Sequence, residues 1–250
     1  MQRYFLNENA EQHQRFFITS KDDIHHITKV MRYTVGDEMV VNFNQQQTFQ
    51  VRIVDISGQS IEIETIHRLD IHTELPIKIT VASGLIKSDK YEWLLQKATE
   101  LGAYAFLAIQ MDRSIVKLNM QKANKKLERW QKIVKEAAEQ SYRQYIPSVN
   151  YCSKFKDVYD TMSEYDYVLM AYEEQAKCGE TSNFKTTLSQ VEEGAKVLLL
   201  FGPEGGFSED EIDLFSTHAT VIGLGPRILR AETAPLYALS AISYEIDLMG

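Results

Sequence analysis

The chain is poor in the residues that mark several common chemistries. Among its 250 residues are two cysteines, Cys152 and Cys178, in unlike contexts. Two cysteines make no disulfide framework. A single bridge stays open as an alternative, but reduced thiols are the expectation. The six histidines show no ligand spacing: His25 and His26 are adjacent, and His67 and His72 fall in a polar connector. No metal site is expected. No uncharged apolar run reaches the roughly eighteen residues a membrane span needs, so no membrane partner is expected. The opening stretch MQRYFLNENAEQHQRFF has neither an apolar signal core nor a cleavage signal, which points to a cytoplasmic protein. No G-x-x-x-x-G-K-[ST] occurs, which argues against a P-loop, and no G-x-G-x-x-G follows a strand, which argues against the usual dinucleotide fingerprint. Internal repeats and low-complexity tracts are absent.

An excess of positive charge is also missing. The formal net charge is −8, the wrong sign for an RNA binder. Its distribution changes that view. Met111–Arg143 carries nine Lys or Arg against four acids, a local charge of +5 that leaves the remaining chain at −13. Concentrated basic charge attracts phosphate whatever the total, though a solvated helix face would look the same.

Enough apolar residue is present for a sizeable core, at 44% of the chain. Residues 1–71 read as a β-rich module. Strands are expected at Glu38–Phe43, Thr48–Ile56 and Ser60–Ile66, the last two joined as a hairpin through Ser57-Gly58, with a short helix over Asp22–Arg32. Several short strands with one helix fit a compact barrel. His67–Pro76 is a polar connector, and the domain boundary is expected within it, dividing the chain into 1–72 and 73–250.

Beyond it, strands alternate with helices. Strands are expected at Ile77–Ser83, Tyr104–Ile109, Tyr167–Tyr172, Lys196–Phe201 and Thr220–Ile222. Helices are expected at Lys90–Leu101, capped by Ser88 or Asp89 and ended by Gly102, then at Lys122–Tyr142, and last at Pro235–Leu248. On the first of these, Trp93, Leu94, Lys97 and Leu101 fall near one face. The alternation predicts an α/β fold with a parallel sheet covered on both sides.

The most informative stretch is Lys196–Thr233. Its first strand runs into Gly202-Pro203-Glu204-Gly205-Gly206, after which Ser208 and Glu211 form a capping box for a helix from Glu209. Its second strand runs into Gly223-Leu224-Gly225-Pro226, and a third loop follows at Arg227–Thr233. Ligands in open α/β sheets sit beyond the carboxyl ends of strands, and glycine lets the backbone approach them closely.

G-P-E-G-G-F-S-x-x-E-I followed by L-G-x-R-I-L-R-x-E-T-A resembles the RsmE family of ribosomal RNA methyltransferases, of the SPOUT superfamily. Two further runs carry the resemblance: H-x-x-K-V-M-R-x-x-x-G-D at His26–Asp37, and E-A-x-E-Q-x-x-R at Glu136–Arg143. The chain departs from many relatives at Asn44–Gln47, where they carry a glycine-containing turn. The resemblance implies a C-terminal parallel sheet with a trefoil knot that binds S-adenosylmethionine. It also implies an N-terminal PUA-like RNA-binding β-barrel, and pairing of the knotted domains into a homodimer. The implied reaction is methylation of N3 of a uridine in 16S ribosomal RNA. The methyl donor is expected across Leu200, Phe201, Gly202, Glu204, Gly205, Ile222, Gly223, Leu224, Gly225, Ile228, Leu229, Arg230 and Thr233.

Methyl transfer to a neutral ring nitrogen requires alignment and loss of a proton. A cation near the pyrimidine oxygens favours the anion. Arg113 and Arg230 are the candidates for that role, and Glu232 is a candidate base. RNA contacts are expected from Arg3, Lys29, Arg32, Glu136, Gln140 and Arg143. Glu136, Gln140 and Arg143 share one helical face, so a structural polar network is the alternative for them. Two other functions compete: a non-catalytic RNA-binding module with a degenerate pocket, and a nucleotide hydrolase using the glycine loop as an anion nest.

Overall fold

The structure is a computed structural model that describes residues 2–172 and 183–248. The chain divides into two units, Met1–Glu74 with Glu139–Tyr145, and Leu75–Ala138 with Ile146–Gly250.

The first unit is built on five strands, β1 (Arg3–Phe5), β2 (Arg15–Ile18), β3 (Glu38–Asn42), β4 (Thr48–Ile56) and β5 (Ile61–Leu69). They pair in the order β1-β3-β4-β5-β2. Only β1 and β3 run parallel. No β1–β2 ladder closes the ring among the described residues, so the expected barrel is an open, mixed half-barrel. Phe49, Val51 and Ile53 on β4 and Ile61 and Ile63 on β5 turn inward, where they meet Tyr4, Phe16, Ile27 and Met39. The β4–β5 hairpin is closed by the Ser57 N–H donating to Ser60 O at 2.9 Å. Helix α1 (Lys21–His25) is capped by the Ser20 hydroxyl. The expected helix to Arg32 then widens into a π turn at His26–Val30. Arg32 ends it in the left-handed region, at φ 57°. His26 of the family-like run is a structural residue, with Nδ1 2.9 Å from the hydroxyl of buried Tyr4.

The turn between β3 and β4 runs through Asn44–Gln47. Gln45 and Gln46 both have positive φ, 55° and 57°. The backbone therefore adopts the tight two-residue hairpin turn that glycine or asparagine favours, with glutamines in the strained positions.

Among the described residues the second unit carries six strands, β6 (Lys78–Gly84), β7 (Ala105–Ile109), β8 (Ser148–Cys152), β9 (Tyr167–Ala171), β10 (Lys196–Phe201) and β11 (Thr220–Ile222). Every ladder is parallel, in the order β11-β9-β10-β6-β7-β8. The helices are α2 (Ser88–Glu100), α3 (Met120–Gln140), α4 (Phe155–Thr161), α5 (Asn183–Leu188), α6 (Glu209–Phe215) and α7 (Ala234–Ser243). β10 explains its own unbroken apolar run. Val197, Leu199 and Phe201 enter one hydrophobic cluster and Leu198 and Leu200 the other, one on each face of the sheet.

Two expectations need correction. Helix α2 begins at Ser88 after Lys87, without a serine or aspartate side-chain cap. Its buried stripe is Tyr91, Leu94, Leu95, Ala98 and Thr99. Trp93 lies one position off that stripe, about 100° around the helix, and is 44% exposed. Strand β8 and helix α4 were not anticipated, because β8 buries little beyond Val149 and shows no alternation. Cys152 is a free, half-buried thiol whose pKa is raised by burial; Cys178 lies outside the described residues.

Candidate active site

Where β9, β10 and β11 end, the sheet opens into a cavity of about 540 Å³. Its walls include Phe201, Gly202, Glu204 and Gly205 from the first glycine loop, and Ile222, Leu224 and Gly225 from the second. Ile228, Leu229, Arg230 and Glu232 come from the third, and Arg113 from the loop after β7. These predicted residues, up to 119 positions apart (from Arg113 to Glu232), thus share one cavity. Leu200 does not line it: strand alternation turns its side chain to the opposite face from Phe201, into the other hydrophobic cluster. Gly223 is buried between two lining residues, and Thr233 lines a smaller neighbouring cavity. Pro203, within the first glycine loop, also lines the main cavity, and so do Lys90, Tyr172, Phe207 and Arg227, which were missed. Tyr172 follows the end of β9 and Lys90 sits in the first turn after β6, so the carboxyl-end rule was a usable signal for both.

The loops meet closely because two glycines permit it. A Cβ at Gly84 would lie 2.5 Å from Pro203 Cδ, and one at Gly205 would lie 2.9 Å from Arg113 Cβ. Arg113 Nη1 donates to Gly205 O at 3.3 Å. A buried carboxylate holds the two loops in this register. Glu211 accepts the Ser208 N–H at 2.8 Å, completing the capping box of α6, and the Asp112 N–H at 2.8 Å. The Ser208 hydroxyl lies 2.9 Å from Asp112 Oδ2. Glu204 Oε1 accepts the Lys87 N–H at 3.2 Å, so the first glycine loop also caps α2.

Among the described residues, four cations, Lys90, Arg113, Arg227 and Arg230, and two carboxylates, Glu204 and Glu232, line the cavity. Lys90 Nζ is 2.8 Å from Glu232 Oε1. Burial works to raise the Glu232 pKa. The Lys90 hydrogen bond, the residue's own N–H and the charges of Lys90 and Arg230 outweigh it and hold the carboxyl below its usual range. Glu232 is therefore a carboxylate at neutral pH.

The predicted RNA contacts divide into two groups. Lys29, Arg32, Glu136 and Gln140 are exposed. Arg3 and Arg143 are buried at 8% and 3% exposure. Arg3 donates to Tyr142 O and lies over the Tyr142 ring at 4.7 Å. Arg143 Nε donates to Glu74 Oε2 at 3.1 Å and is ion-paired with it. These two arginines brace the first unit from within. Among the described residues, no group of three His, Cys, Asp or Glu could hold a metal ion, and no helix is long and apolar enough to cross a membrane.

Residues 73–243 match the family described as RNA methyltransferase domain, and residues 18–66 the one described as RNA methyltransferase PUA domain. The chain is 45% identical over 253 aligned positions to Ribosomal RNA small subunit methyltransferase E of Bacillus subtilis, with 100% of this chain and 98% of that protein covered. It is 32% identical to the protein of the same name from Synechocystis, covering 88% and 70%. Among solved structures it resembles a Ribosomal RNA small subunit methyltransferase E from Neisseria gonorrhoeae bound to S-adenosyl methionine, at a TM-score of 0.82 and 29% identity over 97% of each chain. A domain match over more than half the chain and a full-length relative agree, and the chain belongs to the family of small-subunit ribosomal RNA methyltransferases E.

Proposed function

We propose that the protein methylates N3 of a specific uridine in 16S ribosomal RNA, using S-adenosylmethionine, and that it acts in the cytoplasm on the assembled small ribosomal subunit. The observation that carries this reading is the cavity itself: three main-chain bends beyond the carboxyl ends of β10 and β11, which flank β9, with Arg113 and Arg230 in its wall.

The cavity fits the methyl donor. Its volume of about 540 Å³ lies in the range of small-molecule sites. At Gly202 a Cβ would come within 3.0 Å of Gly206, so the loop is folded as tightly as glycine allows. Main chain, not side chain, forms that edge. The donor, when bound, supplies an electrophilic methyl group. Phe201, Gly202, Glu204, Gly205, Ile222, Leu224, Gly225, Ile228 and Leu229 would hold it. Arg113 and Arg230 place positive charge in the cavity wall, felt at Glu232 in the case of Arg230, and this charge favours the anionic form of the acceptor base. Lys29 and Arg32, exposed in the first unit, are the RNA contacts we favour there. That unit is assigned as the RNA-binding domain and the second as the catalytic one.

A homodimer formed through the second unit and a knotted passage of its C-terminal chain belong to the same reading. Exposed Tyr237, Tyr244 and Leu248 at and beyond α7 support a partner on that helix; sedimentation equilibrium tests it. The function is tested by mapping methylated nucleotides in small-subunit RNA, by mass spectrometry, from cells with and without the protein. One 16S uridine should lose its methyl group in the deletion. An unchanged map overturns the assignment.

A further inference from the structure

The cavity assigned to the methyl donor has a neighbour. A second cavity of about 420 Å³ is lined by Asp89, Lys90, Trp93, Glu232 and Thr233. Lys90 and Glu232 line both cavities, so their ion pair stands at the junction. Glu232 is only 8% exposed. Its Oε1 is held by Lys90, whereas its Oε2 is buried without a hydrogen-bond partner among the described residues. Buried polar atoms are rarely left in that state, and one that is calls for an explanation. Because the carboxyl is held ionised by Lys90 and Arg230 against the effect of burial, this oxygen can only accept. What it lacks is an N–H or O–H donor.

The rest of the lining narrows the donor's chemistry. Asp89 and Glu232 outnumber Lys90, so the wall is net negative and disfavours a phosphate. Trp93, displaced from the buried stripe of α2, offers an exposed indole beside the carboxylate. Indole faces stack nucleobases, and the stacking tolerates any base. Selection must then come from an edge contact. A uracil-type ring presents an N–H flanked by two carbonyl oxygens. A cytosine ring presents a bare lone pair at the same place, which would oppose Glu232 Oε2 acceptor to acceptor.

We infer that the second cavity is the acceptor-base subsite: an unstacked base rests on Trp93, its ring N–H donates to Glu232 Oε2, and Lys90 faces an adjoining carbonyl. Glu232 thereby distinguishes an imide-bearing base from one without that hydrogen. The inference rests on the methyltransferase reading above and adds to it the residues that select the base. The base is extruded from its stack, as enzymes acting on ring atoms require.

The test reads binding as well as activity. Tryptophan emission is followed while wild type and Trp93→Phe are titrated with short oligouridylate and oligocytidylate; the difference between the proteins reports Trp93. Wild type should show quenching with about a tenfold or greater preference for oligouridylate, on the scale of a good edge contact. Glu232→Gln, whose amide offers one acceptor and one donor, should bring that preference below about threefold. Its affinity for S-adenosylmethionine is measured beside this by calorimetry, because Glu232 also lines the donor cavity, and should change less than the preference does. Trp93→Ala should weaken both oligonucleotides by about tenfold, and Trp93→Phe, which keeps an aromatic face, should recover most of it. Two results overturn the inference: no Trp93 quenching, or a Glu232→Gln protein that loses methyl-donor affinity tenfold while still preferring uridine. The second result would give Oε2 to the donor's ammonium group. Failure of wild type to label small subunits with radioactive methyl would instead defeat the methyltransferase reading, leaving the binding data to stand by themselves.

Discussion

Glu211→Ala should disable the site without touching a ligand. Its carboxylate is fully buried and accepts two backbone N–H groups, from Ser208 and Asp112, each at 2.8 Å. Truncation leaves both donors without their acceptor. Each such loss costs about 1–3 kcal/mol, and the pair sits in one network, so we expect roughly 2–5 kcal/mol in all. For a chain of this size that lowers Tm by about 5–15 °C. Glu211→Gln keeps the shape and one acceptor but turns an NH2 toward one of the N–H groups, so its cost should be about half, ~1–3 kcal/mol. The effect on activity should be sharper than the effect on binding. Asp112 precedes Arg113, whose guanidinium reaches Gly205 O at 3.3 Å. Loosening this loop misplaces Arg113, while most of the walls assigned to the methyl donor lie in other loops. Circular dichroism melts, calorimetric titration with S-adenosylmethionine well below Tm, and kcat and KM for small-subunit methylation read the three quantities. A Glu211→Ala protein melting within about 2 °C of wild type would refute the reasoning, as would methyl-donor affinity falling in step with kcat.

Other perturbations separate the remaining roles. Gln45→Asn combined with Gln46→Gly should stabilise the first unit by about 1–2 kcal/mol, since both residues occupy left-handed backbone that glutamine adopts with strain; denaturant unfolding checks it. Glu74→Gln removes the charge that Glu74 sets against the buried Arg143 guanidinium and should destabilise by about 1–3 kcal/mol, again read by denaturant unfolding. Gly205→Ala puts a methyl group 2.9 Å from Arg113 Cβ and should lower kcat by about tenfold or more, through displacement of that arginine. Glu232→Gln should flatten the acid limb of stability. The folded-state pKa of Glu232 is depressed, so the unfolded chain binds the extra proton. The pair's pH-dependent contribution is complete above the unfolded carboxylate value of about 4.3 and is lost as pH falls through the folded value. The Tm difference between wild type and variant should therefore shrink from neutral pH into acid, and a difference independent of pH would contradict this.

Much of the architecture was legible because it rests on local signals. β4, β10 and β11 stand at the residues their patterns predict, and the Ser208–Glu211 capping box opens α6 as expected. The elements that were missed lacked such signals. β1 has three residues, too few to show a period, and exists because β3 is beside it. The sequence places Trp93 near one face with Leu94, Lys97 and Leu101, but its position on α2, one residue off the buried stripe, leaves it exposed. The site was partly legible for the same reason. Glycine loops announce themselves in sequence, but the partners they bring together do not. Nothing in the order of residues tells that Arg143 would turn inward to Glu74 while Lys29 stays outside.

Three glutamates in and beside this site show how a cavity made of glycine turns is kept in shape. Glycine lets main chain approach a ligand, but it also makes the loop easy to deform, so rigidity has to come from elsewhere. Glu211 ties the first glycine loop to the loop bearing Arg113. Glu204 ties the same loop to the amino end of α2 through the Lys87 N–H. Glu232 ties the third loop to Lys90, one turn into that helix. Helix α2 is thus the common anchor of two loops that sequence alone gives no reason to associate with it. Read one by one, Glu204 looks like a ligand contact and Glu232 like a base. Taken together with Glu211, each is also a carboxylate cross-link between a flexible turn and a firmer element. For that reason the helix bearing Lys90 and Trp93, which carries none of the glycine motif, should control the width of the site as strongly as the motif does.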